Sequence, residues 1–297
     1  MKADLHLHTY YSDGTESPAE LLGRAAALQF DVVAITDHDT IKGISEALEA
    51  GQRLGIQVVP GVEITASFHG QELHLLAYFY PENGKGSGWN SNELVRQLEQ
   101  HIQHRLERVE KIIQRLNALG ILITLQEVFE QAIGKTNYGK ISSKTVALGR
   151  PHVAAALLAK RHVSSIDKAF TEFLKRGRPA WVDKKRANTK DIIELIHRLN
   201  GIVILAHPGL LHDEKISTQL LEEGIDGVEV YHTRHTLHEL VYYRDFARNH
   251  RLLITGGSDC HGMLKGEPLM GRVELNGEDL ERFLMRLNNI VRLSKKN

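Results

Sequence analysis

Val32-Val33-Ala34-Ile35-Thr36-Asp37-His38-Asp39 is the stretch whose reading decides the fold. Its first four residues are apolar and mostly β-branched, the composition of a buried strand, and the run ends in a knot of titratable side chains. The same order, apolar first and polar after, recurs at Val58-Val59 before Glu63, at Ile202-Val203-Ile204-Leu205 before His207, and at Leu252-Leu253-Ile254 before Asp259. Asp4-Leu5-His6-Leu7-His8, with Asp13 nearby, and Glu72-Leu73-His74 complete six clusters, each read as lying at or just beyond a strand end. Helix-forming runs separate them: residues 18–28 have Ser17 as N-cap and Pro18 at the first helical position, and residues 41–54 can take a cap from Thr40. Strand alternating with helix predicts a parallel sheet or barrel, in which sites are built at the C-terminal strand ends. The clusters then share one face, as in an open (β/α) barrel carrying a multi-metal site.

The rhythm breaks at the turn-rich residues 81–88. Beyond them Leu94, Leu98, Ile102, Val109, Ile112, Ile113, Leu116 and Leu119 recur at helical steps until Gly120 closes the run. Residues 85–180 therefore read as a mainly helical insertion, a substrate lid, and residues 1–84 with 181–297 as the barrel. Arg96, Arg105, Arg108, Lys111 and Arg115 alternate with Glu99, Glu107 and Glu110 along the long helix, the pattern of a solvated face. The competing reading is a groove for a second phosphate or a short RNA end. After Trp181 the alternation resumes, with helices over residues 191–199 and 240–247 and strands over 202–205 and 227–230.

The chain has 297 residues, enough for one barrel with an insertion. Lys+Arg and Asp+Glu are both 37, so no broad positive stripe exists to hold duplex DNA or a membrane surface. A single cysteine, Cys260, excludes an internal disulfide and a Cys-rich zinc module. Met1-Lys2-Ala3-Asp4 leads straight into the first strand, and no apolar run reaches the length of a membrane span. A cytoplasmic protein is expected, and no protein partner can be inferred.

His6 and His8 alternate on one strand, so both side chains point to one face. The best ligands are His6, His8, Asp13, His38, Glu63, His74, His207, Asp259 and His261. They suit two or three divalent ions with a bridging carboxylate. Imidazole with carboxylate and no required thiolate fits Mn²⁺, Zn²⁺ or Fe²⁺. Alternation turns Cys260 away from Asp259 and His261. Asp37 is expected to orient His38 from behind, and Asp39 to cap the following helix. Arg150 is placed by Pro151 at the start of an Ala-rich helix, and a guanidinium suits bidentate phosphate binding.

These motifs, in this order, resemble the PHP (polymerase and histidinol phosphatase) family, over residues 1–80 and 200–262. Asp4-Leu5-His6-Leu7-His8-Thr9, Ser12-Asp13-Gly14, Ile35-Thr36-Asp37-His38-Asp39-Thr40, Pro60-Gly61-Val62-Glu63-Ile64 and Leu205-Ala206-His207-Pro208-Gly209 carry the resemblance. It looks like the stand-alone bacterial branch with a helical insertion, which includes 3′,5′-nucleotide bisphosphatases and 5′-to-3′ oligoribonucleases. The resemblance implies a distorted (β/α)₇ barrel and a trinuclear centre, most simply of Mn²⁺, held by the nine residues. It implies hydrolysis of a phosphomonoester or terminal phosphodiester, of a 3′,5′-nucleoside bisphosphate or a short 5′-phosphorylated RNA, by metal-activated water. Asp13, His38, Arg150 and His232 would serve catalysis, and Arg150, His152, Arg178, His232 and His235 the substrate. Relatives often carry Lys before the Pro where Arg178 stands here. The rivals are a histidinol-phosphate phosphatase, an amidohydrolase and a non-catalytic metal-binding module.

Overall fold

The structure, a computed structural model of the 297-residue chain, describes residues 1–81, 88–133, 146–211 and 213–294. Most of the turn-rich stretch expected at 81–88 lies outside them.

Nine strands among the described residues share one sheet: β1 (Lys2–Leu7), β2 (Val32–Ile35), β3 (Gln57–Phe68), β4 (Gln71–Tyr78), β5 (Ala187–Asn188), β6 (Ile202–Leu205), β7 (Gly227–His232), β8 (Leu253–Gly257) and β9 (Leu275–Asn276). Their order is β8-β7-β6-β4-β3-β2-β1-β9, with β5 beside β3. β1, β2 and β3 run parallel, as do β6, β7 and β8. The ends meet where His8 N–H donates to Cys260 O and Asp259 N–H to His6 O, both at 3.0 Å, so the long strands make a nearly closed, distorted (β/α)₇ barrel. This is the fold expected.

One strand breaks the expected order of apolar first, polar after. β4 is antiparallel to both neighbours, so Glu72 and His74 stand at its beginning rather than its end. The cause is a two-residue hairpin: His69 and Gly70 both have positive φ, 47° and 83°, the backbone of a type I′ turn. Reversal brings the start of β4 to the rim where the other strands finish, and His74 pairs with Thr65 across the ladder.

Ten α-helices occur among the described residues: α1 (Pro18–Ala27), α2 (Ile44–Leu54), α3 (Asn92–Ala118), α4 (Leu125–Ile133), α5 (Arg150–Ala159), α6 (Ile166–Ala169), α7 (Thr189–Arg198), α8 (Glu214–Glu223), α9 (Leu237–Asn249) and α10 (Gly277–Ser294). α1 starts with the expected Ser17 cap, closed into a capping box by Glu20. α2 begins later than expected, after Gly43, and Thr40 accepts from Lys42 N–H instead of capping it. α3 spans two cores. Leu94 and Leu98 pack with the barrel interior, whereas Val109, Ile112, Ile113 and Leu116 pack with Val128 and Phe129 of α4 and Val153 and Leu157 of α5. Its charged face is not wholly solvated as expected: Arg105 and Arg108 turn inward, Arg108 buried and Arg105 with its side chain 10% exposed, because that side of α3 lies against the barrel rim and the 181–188 return segment. Among the described residues no helix is long and apolar enough to cross a membrane.

Candidate metal centre and adjoining basic cleft

Glu63 sits at the middle of the rim. Oε2 lies 3.2 Å from His6 Nε2, 3.1 Å from His8 Nε2 and 3.0 Å from His38 Nδ1. Oε1 lies 2.7 Å from His74 Nδ1 and 3.0 Å from His207 Nε2. Asp259 Oδ1 adds 3.2 Å to His8 and 3.6 Å to His6; Asp13 Oδ1 is 3.2 Å from His261 Nε2, and Asp13 Oδ2 is 3.9 Å from His38 Nε2. All nine residues expected to ligate metal thus form one connected cluster. Each is supplied by a strand or the loop just after one, so the barrel itself brings together positions from 6 to 261.

The donor set fits divalent cations. Among the described residues His6 Nε2, His8 Nε2, His38 Nδ1, Glu63 Oε2 and Asp13 Oδ1 are buried and lack a partner with hydrogen-bond geometry. Close approach without hydrogen bonding is what unshared lone pairs converging on a cation produce. The far ring nitrogens support this. His6 Nδ1 pairs with Glu229 Oε1 at 2.9 Å, and His261 Nδ1 with the Asp259 carbonyl at 2.8 Å, leaving each Nε2 lone pair facing the centre. Three sets of these side chains have atoms close enough to share an ion: His6, His8, Glu63 and Asp259; His8, Asp13, His38 and His261; and His38, Glu63 and His74.

The fields agree with the geometry. Burial alone would raise the Glu63 carboxyl, but His38, His74 and His6 hold it well below its usual value. Burial opposes charge on His8 as well, yet Asp259 and Glu63 push it up to about 9. Burial drives His38 the other way, well below an ordinary imidazole.

Two supporting carboxylates escaped the sequence reading. Glu229 joins His6 to the backbone N–H of His207 at 2.8 Å. Asp4 accepts from Ser258 N–H at 2.9 Å, and burial pushes its carboxyl to about 6. Asp37 does not orient the His38 ring. It anchors the Asp13 loop by accepting from Thr9 N–H, Thr9 Oγ1 and Ser12 Oγ at 2.6–2.7 Å. Asp39 does not cap a helix; its carboxylate is buried against Arg105 and His101. Cys260 packs in the core beneath α1, turned from the centre as expected.

Beside His74 a cavity of about 560 Å³ opens, lined by Arg150, Arg176, Arg186, Trp181, Glu72 and their neighbours. Glu72 Oε1 is 3.8 Å from His74 Nε2, so the cavity borders the centre. The Arg150 guanidinium lies over Trp181 at 4.9 Å and Phe170 at 5.9 Å, and among the described residues it makes no ion pair. Arg178 is exposed and does not line this cavity; Arg176 does. Lys184, which the sequence reading missed, is pushed down to about 7 by burial and by Arg105. His152 is buried, its Nδ1 accepting from Gly149 N–H at 3.0 Å. His235 spends both ring nitrogens on backbone, at Val230 O and Gly209 N–H. His232 reaches the centre, with Nε2 3.7 Å from Asp259 Oδ2.

The model of the PHP domain matches residues 4–230, most of the chain. The chain belongs to the PHP family. Three curated relatives extend the match over nearly the whole PHP chain. The phosphoribosyl 1,2-cyclic phosphate 1,2-diphosphodiesterase of Eggerthella lenta is 29% identical over 91% of this chain and 98% of its own. The 3′,5′-nucleoside bisphosphate phosphatase of Chromobacterium violaceum is 29% identical over 91% of each, and the 5′-3′ exoribonuclease of Haemophilus influenzae 30% identical over 88% and 90%. A crystal structure from Bifidobacterium adolescentis, described as a metal-dependent phosphoesterase, superposes with a TM-score of 0.82 at 29% identity, covering 96% of each chain. This PHP chain is a metal-dependent phosphoesterase.

Proposed function

We propose that the chain hydrolyses a terminal phosphoester of a small nucleotide, a 3′,5′-nucleoside bisphosphate or the 5′ end of a short RNA, in the cytoplasm and with Mn²⁺ as its metal. The observation that carries the substrate reading is Arg150: a guanidinium without an ion pair among the described residues, held on two aromatic faces at the mouth of a cavity bordering the metal cluster. A cavity of about 560 Å³ lies in the range of small-molecule sites and has room for a nucleotide. Arg108, Arg150, Arg176, Lys184 and Arg186 outnumber the carboxylates beside them among the described residues, Glu72, Asp183 and, next to Lys184, Asp39, so the cleft favours an anion bearing a phosphate beyond the one being cleaved.

His6, His8, Asp13, His38, Glu63, His74, His207, Asp259 and His261 would hold the metals. Bound divalent cations there supply a water of lowered pKa and neutralise charge on the phosphoryl oxygens. Arg150 clamps the second phosphate, and His232 donates a proton to the departing oxygen.

The test is release of phosphate or nucleotide from 3′,5′-bisphosphates, 5′-phosphorylated short RNAs, a ribose 1,2-cyclic phosphate, histidinol phosphate and an amide, in Mn²⁺ and after chelation. Turnover of a nucleotide that chelation abolishes is expected. Metal-loaded protein that cleaves no phosphoester overturns the reading, and preference for histidinol phosphate or the amide overturns the substrate assignment.

Arg150→Ala should lower kcat/KM about 10- to 100-fold on substrates with a second phosphate, since a hydrogen bond to a charged group contributes about 1.5–3 kcal/mol. A substrate with one phosphate should lose far less. Equal losses on both would remove Arg150 from the second-phosphate site.

A further inference from the structure

Asp39 is where the insertion grips the metal cluster. It follows His38, is buried, and holds φ at +53°, a conformation that costs a non-glycine residue about 1 kcal/mol or more and persists only where contacts enforce it. Its backbone N–H donates to the Glu63 carbonyl at 2.9 Å. Its carboxylate takes hydrogen bonds from Thr65 N–H at 2.8 Å, Thr65 Oγ1 at 3.1 Å, His101 Nδ1 at 3.0 Å and Arg105 Nε at 2.6 Å. Asp39 is thus tied on one side to β3, two residues past Glu63, and on the other to α3. His101 and Arg105 are one helical turn apart on α3, so both face the same carboxylate.

Arg105 reaches further. Its guanidinium donates to Thr65 Oγ1 at 3.2 Å, and Nη1 lies 3.4 Å from where a Cβ on Gly149 would sit, against the residue that starts the Arg150 helix. One side chain therefore touches the His38 loop, the Glu63 strand and the base of the phosphate-binding helix.

We propose that Arg105, supported by His101, is a positioning residue of the metal centre: by clamping Asp39 it sets His38 against Glu63 and Asp13, and so makes α3 of the insertion part of the site. The proposal rests on the metal reading above. Groups that orient metal ligands are worth about 10- to 100-fold in metal affinity, which sets the expected effect.

The experiment is titration of metal-free protein with Mn²⁺, following free Mn²⁺ by electron paramagnetic resonance, for wild type, Arg105→Met, Arg105→Lys and His101→Gln. Arg105→Met should weaken the least tight Mn²⁺ site about 10- to 100-fold and lower kcat at limiting metal. Added Mn²⁺ should restore that kcat, with KM unchanged. Arg105→Lys should fall between, and His101→Gln should show a smaller loss of the same kind; if Arg105→Met does not fold, His101→Gln decides. Folded variants with wild-type Mn²⁺ isotherms overturn the clamp alone, as does a rise in KM with metal binding untouched. A wild-type protein that takes up no Mn²⁺ overturns the metal reading with it.

Discussion

Glu63→Gln should abolish measurable turnover, a loss of about three orders of magnitude or more, and should also remove the thermal stabilisation that metal confers. The carboxylate has two equivalent oxygens, one shared by His6, His8 and His38 and the other by His74 and His207. An amide keeps a single oxygen and turns an N–H₂ toward the remaining imidazoles, so one of the two groups of histidines loses its anion. The charge lost is the one that can bridge neighbouring cations. Forfeiting about 4 kcal/mol of electrostatic stabilisation in the transition state corresponds to about a thousandfold in rate. Wild type with metal at about a thousand times its dissociation constant gains about 4 kcal/mol against unfolding. That gain is a rise of several degrees in Tm, which the variant should lack. Metal content, kcat at saturating Mn²⁺ and melting curves with and without metal check it. A variant that keeps its metals and a tenth of its turnover would show that Glu63 is not the bridge.

The ligand shell was legible because strand alternation and strand ends are local properties. His6-Leu7-His8 needs only the two-residue period, and Asp37-His38 after Val32–Ile35 needs only to know where a strand stops. The reversal of β4 was less so, since the reading followed polar clusters and passed over the His69-Gly70 turn that signals a hairpin. Glu229 was hidden differently. It sits between Val228 and Val230 inside β7, and a lone carboxylate there gains meaning only when closure of the barrel brings His6 of β1, which is not a neighbour of β7 in the sheet, within reach. The clearest missed signal lies in α3. Arg105, its side chain 10% exposed, shares one face with the buried His101 and Arg108 at steps of four and three residues, beside the apolar stripe that runs from Ile102 through Leu106 to Val109. Mixed charge along a helix is read as solvated when only composition is weighed. A charged residue beside the buried stripe says instead that something polar waits across the interface, here Asp39. The cleft around Arg150 was partly visible in Gly149-Arg150-Pro151-His152, but Lys184 and Arg186 are brought to it by β5 pairing with β3, a contact between residues more than a hundred apart.

His232→Gln should lower kcat about 10²- to 10³-fold on a nucleotide phosphoester and less than tenfold on an aryl phosphate, with bound metal unchanged. The argument starts from the tautomer. Nδ1 of His232 accepts the Arg234 backbone N–H at 3.2 Å, so in the neutral ring the proton resides on Nε2. Nε2 is buried without a hydrogen-bond partner among the described residues and stands 3.7 Å from Asp259 Oδ2, on the rim of the cluster. A ring nitrogen carrying a proton cannot ligate a metal, which separates His232 from His6 and His261, whose protons sit on the nitrogen facing away. What it can do, when a second proton on Nδ1 replaces the Arg234 contact and makes the ring an imidazolium, is give the Nε2 proton to an oxygen leaving phosphorus and return to the neutral ring, a contribution of about 10²- to 10⁴-fold for a well-placed general acid. Ribose alkoxides are poor leaving groups and need the proton, whereas an aryl oxide departs without it. Glutamine keeps an N–H at about the same reach but has no proton to transfer, so it separates orientation from acid catalysis. Equal losses on nucleotide and p-nitrophenyl phosphate, or loss of metal from the variant, would place His232 among the residues that shape the centre rather than those that act on the substrate.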